Sequence, residues 1–459
     1  MTSKFFQLPS EEKTARRERA REWLMKPGNN FCSMPYSHMA IESNGDVRPC
    51  CMGKPLDINM SGKTINEAFT SKVRSDFVDA FDRNEKPKEC NVCWFDPLNK
   101  FNTRIKFSST DEMMPITEAV MNGEEPKRSL RWLEVKPGNR CNLKCRICGV
   151  HNSSMWTKDY HAMTQYMQSE LEEYVPTPFK QSNEYSYTQQ CEWIDEPQVW
   201  KDIQGLESIS MIHFMGGEPF MVPEHFQLIE NLVADPNIDI SKTMIRYNTN
   251  GTYFPTEEQI ELWKNFHRIQ FLISIDDIGP RFEYQRKLAK WEVAKQNLLD
   301  FRKLARQCWS EEKEVWQFAA IIDPTISMFN IWNVGEVCDG FTELGFPPDI
   351  DMNHFVTGGW NDCRVMPKPI KEIITERHKN HPSAWVAQAL RYMNQDPLPN
   401  KLHDITLFYK TMMFQDARRK ERFVDLWPEL YHLITPYIDW SKVNQFGELK
   451  ETKYEQKNT

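Results

Sequence analysis

The chain has 459 residues, of which 40% are hydrophobic and 27% are charged, and a formal net charge of -8. This length suits two or three domains, and the composition is typical of a globular protein, whereas the net charge argues against a nucleic-acid-binding protein built on a large basic surface. The sequence contains no run of about 18 apolar residues and no apolar signal-peptide segment, so we expect a cytoplasmic protein with no membrane partner.

Residues 1–110 predict a small α+β module rich in cysteine. A charged helical segment leads to two short alternating runs, HMAIE and DVRPC, which flank the turn ESNGDV and predict a hairpin. A helical pattern and then the motif ECNVCW follow. A cytoplasmic compartment keeps thiols reduced, so the cysteines of this module are metal-ligand candidates and not a disulfide framework. They are Cys32, Cys50, Cys51, Cys90 and Cys93.

Residues 125–360 predict an α/β domain. Six strand-like runs alternate with helical segments, which favours parallel βαβ units. The runs are LRWLEVKP, SISMIHFMG, KTMIRYNTN, IQFLISIDD, WQFAAIID and DIDMNHFV. In such a sheet the working residues lie where strands run into the following loops.

Two stretches carry little chemical signal. Residues 151–208 contain a polar segment with Tyr185 and Tyr187, which we expect to be an insertion over the mouth of the sheet and which would suit a peptide groove. Residues 361–459 predict a helical C-terminal region with a polar tail.

The segment NRCNLKCRICGV follows the first strand of the α/β domain. It carries Cys141, Cys145 and Cys148 in the spacing C-x3-C-x2-C, and soft thiolates of this kind select zinc, copper(I) or iron-sulfur clusters. One alternative is a structural zinc ion with His151 as its fourth ligand. The other is a [4Fe-4S] cluster with three cysteine ligands, which leaves one iron open to a further ligand.

This loop resembles the defining motif of the radical S-adenosylmethionine (SAM) superfamily. The resemblance implies a partial (βα)6 TIM-type barrel and a cluster held by Cys141, Cys145 and Cys148, whose open iron binds SAM. MGGEP, NTNG and SIDD end the next three strands, as similar motifs do in the family. By that resemblance the residues that contact SAM are Gly216, Gly217, Glu218, Asn250, Ser274 and Arg286.

The N-terminal cysteines are similar in pattern to the SPASM/twitch module of such enzymes. The module implies one auxiliary [4Fe-4S] cluster, held by Cys32, one of Cys50 and Cys51, Cys90 and Cys93. Its order departs from the family, where it usually follows the barrel. A zinc knuckle made by the same four thiols is the alternative.

The resemblance implies a radical SAM enzyme that abstracts hydrogen from its substrate after a flavodoxin- or ferredoxin-type partner supplies an electron. We expect a peptide or protein substrate that is oxidised, crosslinked or given a thioether. A small polar metabolite, such as an aminocyclitol or a sugar, is the runner-up. A non-catalytic iron-sulfur or zinc scaffold is the hypothesis from another class, and the intact GGEP motif and the three cysteines speak against it.

Overall fold

The computed structural model describes residues 11–95, 103–159, 162, 192–311, 315–348, 354–397 and 404–443. Most of the predicted insertion, with Tyr185, Tyr187 and Cys191, lies outside these residues, as does the polar C-terminal tail. Within the described part of the chain, no helix is both long enough and apolar enough to cross a membrane.

A seven-stranded sheet organises the described residues. Its order is β2-β1-β3-β4-β5-β6-β9, and all neighbours are parallel except β1 and β2. The strands of the protein are β1 (His38–Ile41), β2 (Val47–Arg48), β3 (Trp132–Val135), β4 (Met211–Phe214), β5 (Met244–Thr249), β6 (Arg268–Ile273), β7 (Trp309–Ser310), β8 (Val315–Trp316), β9 (Phe318–Ile322), β10 (Thr325–Ile326) and β11 (His354–Phe355).

The predicted hairpin forms and joins the barrel. Its first strand, β1, pairs in parallel with β3, with His38 opposite Trp132 and Ile41 opposite Val135. The cysteine-rich module therefore shares one sheet with the α/β domain. The hydrophobic patterns of the two segments gave no sign of this pairing, because it depends on which edge strand is free in the folded chain.

Five of the six predicted barrel strands, β3, β4, β5, β6 and β9, lie in this sheet. The sixth run, residues 349–356, is only partly described. Its described residues His354 and Phe355 form β11, which pairs in parallel with β10 just beyond the end of β9.

Helices cover one face of the sheet. The helices are α1 (Glu11–Leu24), α2 (Met34–Ser37), α3 (Ile65–Phe69), α4 (Lys72–Asp82), α5 (Asn91–Phe95), α6 (Thr103–Ser108), α7 (Met114–Met121), α8 (Pro197–Lys201), α9 (His225–Ala234), α10 (Glu257–Trp263), α11 (Gly279–Gln285), α12 (Trp291–Gln307), α13 (Val334–Glu343), α14 (Lys368–His378), α15 (Ala384–Met393), α16 (Ile405–Arg419), α17 (Phe423–Leu426), α18 (Pro428–Ile434) and α19 (Trp440–Val443). Tyr247 of β5 contacts Trp263 of α10, and Phe271 of β6 contacts Phe301 of α12. These rings belong to the main hydrophobic core.

The other face of the sheet is polar at its middle. Side chains alternate along a strand, and the register places Glu134, His213, Arg246 and Gln270 side by side on this inner face. Nε2 of His213 lies 2.6 Å from Oδ1 of Asn248, which is also on the inner face. The inside of the barrel is thus lined by hydrogen-bonding groups, whereas its outside is apolar.

Candidate functional site

A cavity of about 630 Å³ opens where the strands of the barrel run into their loops. It brings together the three-cysteine loop, the two glycines after β4 and the polar residues after β5 and β6. Its lining includes Cys141, Cys145, Cys148, His151, Gly216, Gly217, Asn248, Asn250, Ser274, Arg286, Thr325, Thr357, Gly358, Gly359, Trp360 and Asn361. Of the residues that the sequence assigned to this site, only Glu218 is not part of the lining.

The three cysteines lie in a loop whose N–H groups point at sulfur. The backbone N–H of Leu143 donates to Sγ of Cys141 at 3.4 Å, and Nη1 of Arg286 donates to Sγ of Cys145 at 3.8 Å. Burial raises the pKa of the Cys141 thiol to about 11, and it also raises the pKa of Cys145 and Cys148. Buried thiols that already have N–H donors are suited to a bound metal centre, which keeps them as thiolates.

Two glycines bring the chain after β4 close to the cysteine loop. Gly216 has a φ of +73° and Gly217 a φ of +44°, which a residue with a side chain adopts only with strain. A Cβ on Gly216 would lie 2.8 Å from Cβ of Lys136, and a Cβ on Gly217 would overlap the carbonyl oxygen of Arg140. Both positions thus require glycine, and both border the cavity.

Glu218 lies behind the cavity wall. Its side chain is fully buried, and its carboxylate accepts hydrogen bonds from the hydroxyl of Thr249 at 2.9 Å and from the backbone N–H of Asn250 at 2.7 Å. Burial raises the pKa of Glu218 to about 7. In this arrangement Glu218 ties the end of β4 to the end of β5, and its contact with a SAM ammonium group stays a prediction.

Asn250 and Arg286 face the cysteine loop from the ends of β5 and α11. Nδ2 of Asn250 donates to Oδ1 of Asn142 at 2.8 Å and lies 4.0 Å from Sγ of Cys141. Arg286 forms an ion pair with Asp276, at 2.9 Å, in addition to its contact with Cys145. Arg286 is therefore charged and held in place beside the cysteine loop, as a residue that pairs with the carboxylate of SAM would have to be.

The C-terminal helices clamp the cysteine loop. Arg146, between Cys145 and Ile147, is fully buried, and its guanidinium forms ion pairs with Asp416 at 2.6 Å and Glu421 at 2.8 Å. It also lies 3.5 Å from the ring centroid of Tyr284. The sequence gave no chemistry for this region, because the basic run DARRKERF looks like any solvated helix face until the fold shows where it lies.

Four N-terminal thiols form a second group. Burial is the main cause that raises the pKa of Cys90, and the negative charges of Cys32, Cys50 and Cys93 raise it further. The pKa of Cys51 is raised by burial and then by Glu134, a residue of the inner face of the barrel. The charges of Cys32, Cys50 and Cys93 thus act on Cys90, whereas Glu134 acts on both Cys50 and Cys51.

The two thiol groups lie at opposite ends of the barrel. Cys32 and Cys50 pack against Trp132 and Met211, the first residues of β3 and β4, and Met244, the first residue of β5, packs there too. Asn250, at the other end of β5, is the residue that approaches Cys141. Six residues at about 3.3 Å per residue separate the two ends by about 20 Å.

Within the described ranges, no three His, Cys, Asp or Glu side chains converge as the ligands of a single metal ion. The fit to iron-sulfur clusters comes from the chemistry of the donors, since each group consists of soft thiols that are buried or half-buried. The assignment of individual cysteines as ligands stays a prediction.

The sequence missed two features at this end of the barrel. The loop of residues 357–361 lines the cavity together with the cysteines. Asp323, at the end of β9, lies with Oδ1 2.7 Å from Nδ1 of His354 and accepts a hydrogen bond from Asn248 at 3.2 Å. Asp323 is the last residue of the run WQFAAIID, which resembles the run IQFLISIDD that was predicted to end at the SAM site. The sequence nevertheless gave no sign that Asp323 would contact a histidine about 30 residues later.

Comparison with known proteins identifies two families. The model of the radical SAM superfamily matches residues 135–311, and the model of the SPASM iron-sulfur cluster-binding domain matches residues 32–94. No curated protein matches the chain.

Solved structures resemble parts of the chain. One is native anSMEcpe with bound AdoMet, at 18% identity and a TM-score of 0.30, covering 49% of this chain and 50% of that one. Another is Streptococcus suis SuiB bound to precursor peptide SuiA, at 12% identity and a TM-score of 0.28, covering 74% and 71% of the two chains. This chain thus spans half the length of anSMEcpe.

Proposed function

Because the chain belongs to the radical SAM superfamily and carries a SPASM module ahead of the radical SAM core, we propose that it abstracts a hydrogen atom from a peptide or protein substrate and thereby modifies it. Its cofactors are a [4Fe-4S] cluster with SAM and an iron-sulfur cluster in the SPASM module. When bound, the cluster and SAM supply the one-electron chemistry that removes hydrogen from an unactivated C–H bond. A flavodoxin- or ferredoxin-type protein would supply the electron.

The residues of the chain divide this work within one cavity. Cys141, Cys145 and Cys148 would hold the cluster, and Gly216 with Gly217 would let the backbone approach SAM closely. Asn250, Ser274 and Arg286 would orient SAM from the ends of three further elements, which supports the assignment because all three line the same cavity as the cysteines. Fixing both reactants in one geometry is the main contribution a protein makes to such a reaction.

The part of the cavity lining that comes from residues 325 and 357–361 carries the proposal of a peptide substrate. It consists of Thr325, Thr357 and the run Gly358–Asn361, without a charged side chain among the lining residues of this wall. Hydroxyl groups and two glycines, which have no side chain to keep a main chain away, suit hydrogen bonds to a peptide, whereas they offer no ion pair to a phosphate or carboxylate. The resemblance also favours a peptide substrate, because radical SAM enzymes with SPASM modules mostly modify peptides or proteins.

One observation favours the runner-up, a small alcohol or aminocyclitol. His354 pairs with Thr325, a residue of the cavity lining, and 58% of its side chain is exposed; the contact with Asp323 raises its pKa. A histidine oriented by a carboxylate can take the proton that a hydroxyl loses when the alcohol is oxidised.

The auxiliary site lies at the other end of the barrel from the cavity. With about 20 Å between the two thiol groups, we propose that the SPASM cluster exchanges electrons with a partner at the amino-terminal end of the barrel or stabilises the module there. Cys32, Cys50, Cys90 and Cys93 would be its ligands, and Cys51 would not be a ligand.

The test is 5′-deoxyadenosine release by anaerobically reconstituted enzyme with SAM and dithionite. A synthetic heptapeptide library and a panel of aminocyclitols and sugars serve as the two sets of probes. We expect peptides to raise the release above the substrate-free rate and to change in mass themselves, and the Cys141→Ala/Cys145→Ala/Cys148→Ala variant to release none. Stimulation by the small molecules alone would establish the runner-up, and no release under any condition would leave the scaffold hypothesis.

A further inference from the structure

A second cavity, of about 490 Å³, lies beside β9, at one end of the described sheet. All five residues of β9 belong to its lining, and because neighbouring side chains of a strand point to opposite faces, the cavity borders the edge of that strand. Arg268, the first residue of β6, and Arg302 and Arg306 of α12 also line it. It shares no lining residue with the cavity of the three cysteines.

The charged side chains of this lining are all cations. Among the described lining residues there are three arginines, Arg268, Arg302 and Arg306, and no carboxylate. Nε of Arg268 and Nε of Arg302 are buried and have no hydrogen-bond partner in the described part of the chain. A buried N–H group without an acceptor loses the hydrogen bond that water would have given it. An acceptor is therefore missing on the cavity side of these two guanidinium groups.

The charge of this arginine group is not compensated by the carboxylates of the described residues. Burial lowers the pKa of Arg268 and of Arg302, and the charge of Arg306 lowers the pKa of Arg302 further. Arg302 and Arg306 are one turn apart on α12, where like charges repel. Arg286, at the other cavity, is different, because Asp276 pairs with it at 2.9 Å. A bound anion would relieve both the burial and the repulsion.

The backbone makes room for Arg302. Gly345, also in the lining, has a φ of +84°, and a Cβ at this position would overlap the guanidinium of Arg302. Glycine is thus required both for the conformation of the turn and for the place of the guanidinium.

The start of α15 adds further donors. Ser383, Ala384 and Trp385 line the cavity, and the N-terminus of a helix favours negative charge. The Trp385 side chain is fully buried, and its Nε1 has no hydrogen-bond partner among the described residues. The helix terminus and the indole thus supply N–H groups from the element that adjoins the arginine group in the lining.

The rest of the lining is apolar. It includes Ala305 of α12, Phe318 and Ile322 of β9, and Phe346. A volume of about 490 Å³ lies in the range of small-molecule sites, which are mostly apolar with a few polar groups that fix orientation. An inorganic anion alone would leave the apolar part of this cavity uncovered.

We propose that this cavity is a second ligand site, which binds an anion with an apolar body through the arginine group. The acidic group is a carboxylate or a phosphate, since the guanidinium fork fits both. A free organic acid and the acidic side chain of a peptide present the same chemistry to the arginines. The inference goes beyond the proposed function and does not depend on the cluster, on SAM or on the substrate.

The test is isothermal titration of the reconstituted full-length enzyme, with SAM at saturation so that the cavity of the three cysteines is occupied. The probes are phenylpropionate, phenyl phosphate, the capped peptide acetyl-Glu-Phe-Glu-amide and the neutral phenylpropionamide. Wild type is compared with Arg302→Met. Lys303→Met is the matched control, because it removes the same charge from the next residue of α12, which is exposed and does not line the cavity.

We expect saturable binding of the anionic probes and much weaker binding of the amide. Arg302→Met should weaken the binding of the anions at least about tenfold, as the loss of a hydrogen bond to a charged group does. Lys303→Met should change it less than about threefold, as for an exposed charge. Tighter binding of the peptide than of phenylpropionate would identify a peptide as the source of the anion, and the opposite order a free organic acid.

Equal binding of phenylpropionate and its amide, or unchanged affinity in Arg302→Met, would overturn the proposal. Binding that is seen only without SAM would overturn it as well, since the probes would then occupy the cavity of the three cysteines. If Arg302→Met does not fold, crosslinking of wild type with a diazirine derivative of phenylpropionate decides. The label should appear on α12, on β9 or on residues 345–348, and a label only elsewhere would contradict the site.

Discussion

The clamp on the cysteine loop predicts strong energetic coupling between Arg146 and Asp416. Arg146 is fully buried, donates from Nε to the backbone oxygen of Tyr284 at 3.0 Å and has the two carboxylates of Asp416 and Glu421 within 2.8 Å. Arg146→Met removes the cation and leaves both carboxylates in place. Breaking a buried ion pair from one side costs about 3–5 kcal/mol, because the remaining charge is no longer compensated.

The partners of each group limit that cost. Glu421 keeps Lys287 at 2.7 Å, so the loss of Arg146 falls mainly on Asp416. Burial already raises the pKa of Asp416, and the loss of Arg146, whose charge lowers that pKa, should raise it further. We therefore expect the free energy of unfolding to fall by about 3 kcal/mol in Arg146→Met and by about 1–2 kcal/mol in Asp416→Asn. The double variant should be no less stable than Arg146→Met alone, which gives a coupling energy of at least about 1 kcal/mol.

The assay is urea unfolding of the four proteins at pH 7, together with the rate at which a chelator removes iron from the reconstituted forms. Iron release should be faster in Arg146→Met, since the clamp holds the loop of the three cysteines. The control pair is Arg377 and Glu429, whose contact at 3.2 Å is exposed and should show a coupling of about 0–1 kcal/mol. Strict additivity of Arg146→Met and Asp416→Asn would refute the reasoning.

Three further predictions test other parts of the account. Cys50→Ser should lose the iron of the SPASM site and Cys51→Ser should keep it. Iron analysis in the Cys141→Ala/Cys145→Ala/Cys148→Ala background, which lacks the other cluster, tests this, and the reverse result would contradict the grouping of the thiols. Gly217→Ala should abolish SAM binding, measured by isothermal titration, because the added methyl group overlaps the carbonyl oxygen of Arg140; unchanged affinity would mean that the cradle is not needed. Burial lowers the pKa of His225 to about 4, so below pH 6.5 the folded state binds fewer protons than the unfolded state and its stability falls as the pH decreases. Between pH 7 and pH 5 the free energy of unfolding of wild type should therefore decrease by about 2 kcal/mol more than that of His225→Gln. Equal decreases in urea unfolding would argue against this.

The sequence predicted those parts of the site that are encoded locally. Cys141, Cys145 and Cys148 lie in one short loop, and the glycines of MGGEP follow a strand directly, so the order of elements along the chain was enough to place them at one end of a parallel sheet. The hairpin around Asn44 and Gly45 was predicted for the same reason, since turn chemistry is local.

Long-range contacts were beyond the sequence. The pairing of β1 with β3 joins segments about 90 residues apart, and the clamp joins Arg146 to Asp416 across 270 residues. Nothing in a basic run shows that one of its arginines becomes buried, because burial depends on how the helix docks. Glu218 was predicted from its motif alone, and its orientation behind the cavity wall depends on Thr249 and Asn250, which follow a different strand.

The central claim is that the chain holds two iron-sulfur clusters, one on the cysteines of the barrel loop and one on the N-terminal thiols. The measurement that tests it most directly is the iron and sulfide content of anaerobically reconstituted wild type and of the Cys141→Ala/Cys145→Ala/Cys148→Ala variant. The account predicts about eight irons in wild type and about four in the variant, with the remaining cluster on the N-terminal thiols. About four irons that fall to none, with zinc retained, would contradict the second cluster and leave the N-terminal module a structural metal site.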